Sequence, residues 1–217
     1  MAELYQNWYS YAKQEVPECL HRARIDQVSP TTTEVRMATY RQRAWEIAVG
    51  QHGYLTTGQA AEEGIPPIEL AKLAARGRLH HVARGIYRFD EMPPTKFDQY
   101  FEAVLRVGDD AVLVGDAVLA LHGLALVNPR QIRVATSKRH RRTLPAWLKV
   151  EMGRVPDDAV TVVEGIPATT VARAVRDARP YVMTERLLEA IPEALHAGLI
   201  EPGEARRLKR DLTTADR

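Results

Sequence analysis

The chain has 217 residues, 45% hydrophobic and 27% charged, the composition of a soluble globular protein with one large domain or two small ones. A single cysteine, Cys19, excludes an internal disulfide framework and a cysteine-rich zinc site. No apolar run is long enough to span a bilayer and the N-terminus lacks the pattern of a signal peptide, so a cytoplasmic protein without membrane association is expected. The formal net charge is only +2, but residues 128–154 hold 8 Lys/Arg against 1 Asp/Glu. Local fields rather than net charge steer a polyanion, which keeps nucleic acid among the candidate partners.

Residues 1–39 read as an N-terminal extension. Leu4, Trp8 and Ala12 fall at helical spacing, and the run from Val28 to Glu34 reads as a linker. Such a helix can act as a dimerisation arm or pack on its own domain.

Residues 40–90 read as a unit of three helices and a hairpin. A helix from Tyr40 to His52 places Ala44, Ile47 and Ala48 on one face. After a short extended piece, Tyr54–Thr56, Thr57 stands where an N-cap is expected, ahead of a second helix that begins near Gln59 and stops at Gly64. Pro66 and Pro67 suit only a helix start, so a third helix runs from there to about Arg76. On it, Ile68, Leu70, Leu73 and Ala74 are assigned to the core and Glu69, Lys72, Ala75 and Arg76 to the outside. Two strands, 79–82 and 86–89, follow around the tight turn Ala83-Arg-Gly85.

This is the element order of a winged helix-turn-helix, in which the third helix is free to lie in a major groove. Lys72 and Arg76, one turn apart, suit a phosphate and a base edge. Arg84 at the hairpin tip and Arg88 on the return strand are placed to reach backbone or minor groove, and Thr57 and Gln59 complete the winged part of the DNA-binding set. Small domains of this kind also serve as protein docking modules, and Glu62, Glu63 and Glu69 weaken the field near the third helix. A protein-binding module with incidental DNA contact is therefore the alternative reading.

Residues 91–217 are expected to form a second, mixed α+β unit, entered through the hinge Met92-Pro-Pro94. Phe97, Phe101, Val104 and Leu105 give the stripe of a buried helix face, and a short helix covers 116–122. Strands are expected at 131–136, 148–152 and 159–163, and helices at 170–179, 184–196 and 202–212, with Thr184 and Glu201 as caps. Chemistry is scarce. The sequence carries no phosphate-binding glycine loop, no zinc-protease helix and no nucleophile elbow. His80 and His81 point to opposite faces of a strand, and Asp109, Asp110 and Asp116 read as turn acids and a helix cap. Neither an enzyme nor a bound metal or cofactor is expected. The remaining signal is Lys138-Arg139-His140-Arg141-Arg142, flanked by Arg130, Arg133, Lys149 and Arg154. Lys138, Arg139, Arg141 and Arg142 are its candidate phosphate-binding residues, with an acidic protein partner as the other option.

The chain resembles the AbiEi-type antitoxins of abortive-infection (type IV) toxin–antitoxin systems over residues 42–212. The likeness is carried by Tyr54-Leu-Thr-Thr57, the hairpin Val82-Ala-Arg-Gly-Ile-Tyr-Arg88, Ala120-Leu-His-Gly-Leu124, Ile132-Arg-Val134, Glu164-Gly-Ile-Pro-Ala-Thr-Thr170 and Ala172-Arg-Ala174. Asp116 stands where the family has serine. The resemblance implies a repressor that binds its own operator through the winged domain, with the second domain supporting cooperative binding. It also implies neutralisation of a cognate nucleotidyltransferase-fold toxin without a stable complex.

Overall fold

The chain forms two compact units that divide between Pro93 and Pro94. The computed structural model describes residues 39–140 and 143–214; the expected N-terminal helix and linker, with Arg141 and Arg142, lie outside them.

In the first unit the Thr39 side chain accepts a hydrogen bond from the Gln42 N–H and opens α1 (Tyr40–Val49). The helix stops three residues before the expected His52, because residues 50–53 turn the chain into β1 (Tyr54–Thr56). Next come α2 (Thr57–Glu62), α3 (Pro67–Ala75), β2 (His80–Ala83) and β3 (Ile86–Arg88). The strands make an antiparallel sheet in the order β1-β3-β2, with Tyr54 opposite Arg88 and His81 opposite Tyr87. Three helices against this small sheet form a winged helix-turn-helix.

The hydrophobic pattern builds the core: Ala44, Ile47 and Ala48 from α1 meet Leu55, Ala60, Ile65, Leu70, Leu79 and Phe89, all buried. Trp45 packs edge-on against Phe89 at 5.0 Å between ring centroids. Between α2 and α3 the N–H groups of Gly64 and Ile65 return to the carbonyls of Ala61 and Ala60, which closes α2. Pro67 then begins α3 without wasting a donor.

The second unit is mixed α+β. Its elements are α4 (Asp98–Val107), β4 (Val112–Leu113), α5 (Asp116–Leu121), β5 (Ile132–Thr136), β6 (Leu148–Met152), β7 (Val160–Val163), β8 (Ile166–Thr169), α6 (Val171–Asp177), α7 (Thr184–His196) and α8 (Pro202–Thr214). The five strands lie in the order β6-β5-β4-β8-β7, with β5–β6 and β4–β8 parallel and the other pairs antiparallel. Leu113, Val134 and Ile166 of the sheet are buried, as are Phe101, Leu119, Val175, Leu187, Ile191 and Leu208 of the helices.

Two strands here escape the sequence reading. β4 has only two residues, too few for a period. β8 contains Pro167, which argues against a strand, yet it is joined to β7 by the two-residue turn Glu164-Gly165, both at positive φ (49° and 75°). That is the geometry of a type I′ hairpin, written here with glutamate in place of the usual asparagine. One cap also moves: Met183, not Thr184, is the N-cap of α7.

Candidate nucleic-acid interface

The turn before α2 differs from its expected form by one residue. Thr56, not Thr57, is the N-cap: its hydroxyl accepts from the Gln59 N–H at 3.2 Å, and its own N–H donates to Gln59 Oε1 at 2.9 Å. This reciprocal capping box consumes the Gln59 carbonyl. The Gln59 amide donates to Gln51 Oε1 at 2.8 Å, and Gln51 donates to the Ile47 carbonyl at 3.2 Å. Gln59 is 4% exposed, with its polar groups spent inside the unit, so it is withdrawn from the DNA-binding set. The signal was available, since a threonine three residues before a glutamine at a helix start is the capping-box pattern.

Thr57 joins α2 to the wing. Its N–H donates to the Gly85 carbonyl at 2.9 Å. Gly85 has φ +76°, and a Cβ built on it would lie 2.9 Å from Thr57 Oγ1, so glycine is required at the hairpin tip for both conformation and space. Arg84 beside it is exposed.

Arg88 has partners within its own unit. Its guanidinium lies over the Tyr54 ring at 5.5 Å and donates to the carbonyls of Phe89 (3.3 Å) and Met92 (3.1 Å). Pairing of β1 with β3 sets Arg88 opposite Tyr54, and the side chain holds the chain leaving the wing.

On α3 the structure rotates the expected faces. Leu70 is fully buried, with Leu73 and Ala74 packed beside it. Ile68, assigned to the core by the sequence reading, is 60% exposed. Two residues correspond to about 200° of helix rotation, so Ile68 and Leu70 cannot share a face. The outer face consists of Ile68, Ala71, Lys72, Ala75 and Arg76, all exposed. Lys72 Nζ contacts Glu69 Oε1 at 2.8 Å, an exposed i,i+3 pair worth little in water and easily exchanged for a phosphate. The side chains of Arg76, Arg78 and Arg84 make no ion pair among the described residues.

In the second unit the basic stretch is less uniform than its composition. Arg133 Nε lies 3.1 Å from Asp116 Oδ1 and its Nη1 lies 3.4 Å from Glu151 Oε1, while the Tyr181 ring covers its face at 3.4 Å. Tyr181 donates its hydroxyl to Glu151 at 3.2 Å. Burial pushes the Asp116 carboxyl above its ordinary value and outweighs the attraction of Arg133. This cluster ties the start of α5 to β5, β6 and the loop before α7. Arg154 pairs with Asp157 at 3.3 Å. Lys138 and Arg139 are exposed at the end of β5. Their loop is held by Asp110, which accepts from Ser137 N (2.9 Å), Ser137 Oγ (2.6 Å) and Thr136 Oγ1 (2.8 Å). Burial raises the Asp110 carboxyl, but these hydrogen bonds outweigh it and hold the group below its ordinary value.

Among the described residues no cluster of His, Cys, Asp and Glu is arranged to hold a metal ion, and no helix is long and apolar enough to cross a membrane. No curated protein matches the chain. Residues 42–89, which are the winged unit with its exposed α3 face, match the family of transcriptional regulators described as AbiEi antitoxins.

Proposed function

We propose that the chain is a DNA-binding autorepressor and antitoxin that acts in the cytoplasm by binding rather than by catalysis. Residues 40–90 are its operator-binding domain, and residues 91–217 are its antitoxin domain. The observation that carries this reading is the outer face of α3, where Lys72 and Arg76 stand on small, exposed neighbours opposite a buried Leu70. Such a helix can enter a groove with its cations against phosphate or base edges. Arg84 at the wing tip adds a backbone contact, and Lys138 and Arg139 add sequence-independent contacts to flanking phosphate. The family match over the winged unit supports regulation of transcription by an antitoxin. Neutralisation of a cognate nucleotidyltransferase-like toxin, and repression of its own operon, extend that description to this chain.

The test is binding of the full chain to the duplex upstream of its own gene as a function of salt. Affinity for that duplex should exceed affinity for random duplex and fall steeply as salt rises. Equal affinity for both would remove the repressor reading. Co-expression with the neighbouring gene product then tests neutralisation, and growth arrest that the chain fails to relieve would remove the antitoxin reading.

A further inference from the structure

The exposed isoleucine on α3 has no packing reason to be there. Leu70, Leu73 and Ala74 already fill the core side of the helix, and Ile68 stands on the opposite side, 60% exposed. A single exposed apolar residue is ordinary on a protein surface. This one has particular neighbours. Ala71 and Ala75, one and two turns further along the same face, are exposed and small, so the face can come close to a partner. Lys72 and Arg76 line one side of the stripe, and a face so charged suits an anionic partner rather than an apolar protein surface. Ile68 is also the second residue of α3, and the N-terminal residues of a recognition helix are those that meet base edges.

A phosphate offers nothing to a branched aliphatic side chain. Among the groups displayed in a major groove, the apolar one is the thymine C5-methyl. Resting on the reading of α3 as a recognition helix, we infer that Ile68 is a specificity-determining residue that packs on a thymine methyl in the operator. Lys72 and Arg76 then supply affinity beside it. Cations on phosphate alone would hold DNA without distinguishing thymine from cytosine at that step.

The experiment begins with selection of a preferred duplex from a random pool by the full chain. Each thymine of the selected site is then replaced in turn by deoxyuridine, which removes the methyl and nothing else. Affinities are measured for the natural chain, Ile68→Ala and Ile68→Val. At one thymine, loss of the methyl should weaken the natural chain about four-fold, the effect of one buried methyl-sized group. The same replacement should leave Ile68→Ala unmoved, and Ile68→Val should keep part of the response. Since Ile68 is exposed, both variants should unfold like the natural chain. If methyl loss at every thymine weakens the natural chain and Ile68→Ala equally, or weakens neither, the inference is wrong while the DNA-binding reading stands. If no preferred duplex emerges from the pool, that reading fails and the inference falls with it.

Discussion

Charge counting separates two basic regions of this chain more sharply than their structure does. Residues 128–154 carry eight cations against one acid, whereas residues 40–90 carry seven against five. By composition the first is the natural polyanion site. In the structure, Arg133 is taken by Asp116, Glu151 and the Tyr181 ring, and Arg154 has only an exposed partner in Asp157. Arg130, Lys138, Arg139 and Lys149 are exposed without an ion pair among the described residues. On α3 and the wing, Arg76, Arg78 and Arg84 are likewise exposed and unpaired among the described residues and Lys72 has only a weak surface partner, but Lys72 and Arg76 stand on a helix face with small neighbours. What matters to a duplex is charge that is free and carried on a surface that can approach. Sequence density reports neither.

The sharpest way to break this comparison is Arg133→Ala. If Arg133 is structural, its removal leaves Asp116 buried without its cation and should cost about 3 kcal/mol of the second unit's stability, read from denaturant unfolding. Unchanged stability with weakened DNA binding would instead place Arg133 among the phosphate-binding residues. A smaller effect is expected for Lys138→Ala with Arg139→Ala. Stability should be unchanged, while affinity for operator and random duplex should fall alike, with the salt slope reduced by about two at most. If DNA binding is intact and toxin neutralisation fails, the loop faces a protein.

The smallest effect concerns the anchor of that loop. Because hydrogen bonds hold Asp110 below its ordinary value of 3.8, its contribution is present above the unfolded-state value and is lost as pH falls through the lower folded value. The Asp110 carboxyl signal should therefore titrate with a midpoint below 3.8, and the Ser137 amide signal should move with it. A midpoint at or above 3.8 would contradict the anchoring.

Much of the fold was legible because it is written in long periods. α7 begins and ends at the expected residues although Pro192 stands inside it, and β6 does the same, since each keeps its apolar period from end to end. The winged order was legible from its punctuation by Gly64, Pro66, Pro67 and Gly77. What failed depended on register or on competition between partners. Arg88 reads as a free cation until the pairing of β1 with β3 sets it against Tyr54. Gln59 reads as a polar helix-start residue until Gln51, eight positions earlier, claims its amide. The outward position of Ile68 is legible in the sequence. Leu70, Leu73 and Ala74 already form an i, i+3, i+4 stripe, and a residue two before the first of them lies on the other side of the helix.

The central claim is that the outer face of α3 is the part of the chain that reads DNA, and Lys72→Ala with Arg76→Ala tests it most directly. Both side chains are exposed, so thermal unfolding of the double variant should match the natural chain. Its affinity for the upstream duplex should fall by about ten-fold or more, and its salt slope should drop by about one for each phosphate that the two cations neutralise. Unchanged affinity in a folded double variant would contradict the account and remove this helix from the interface.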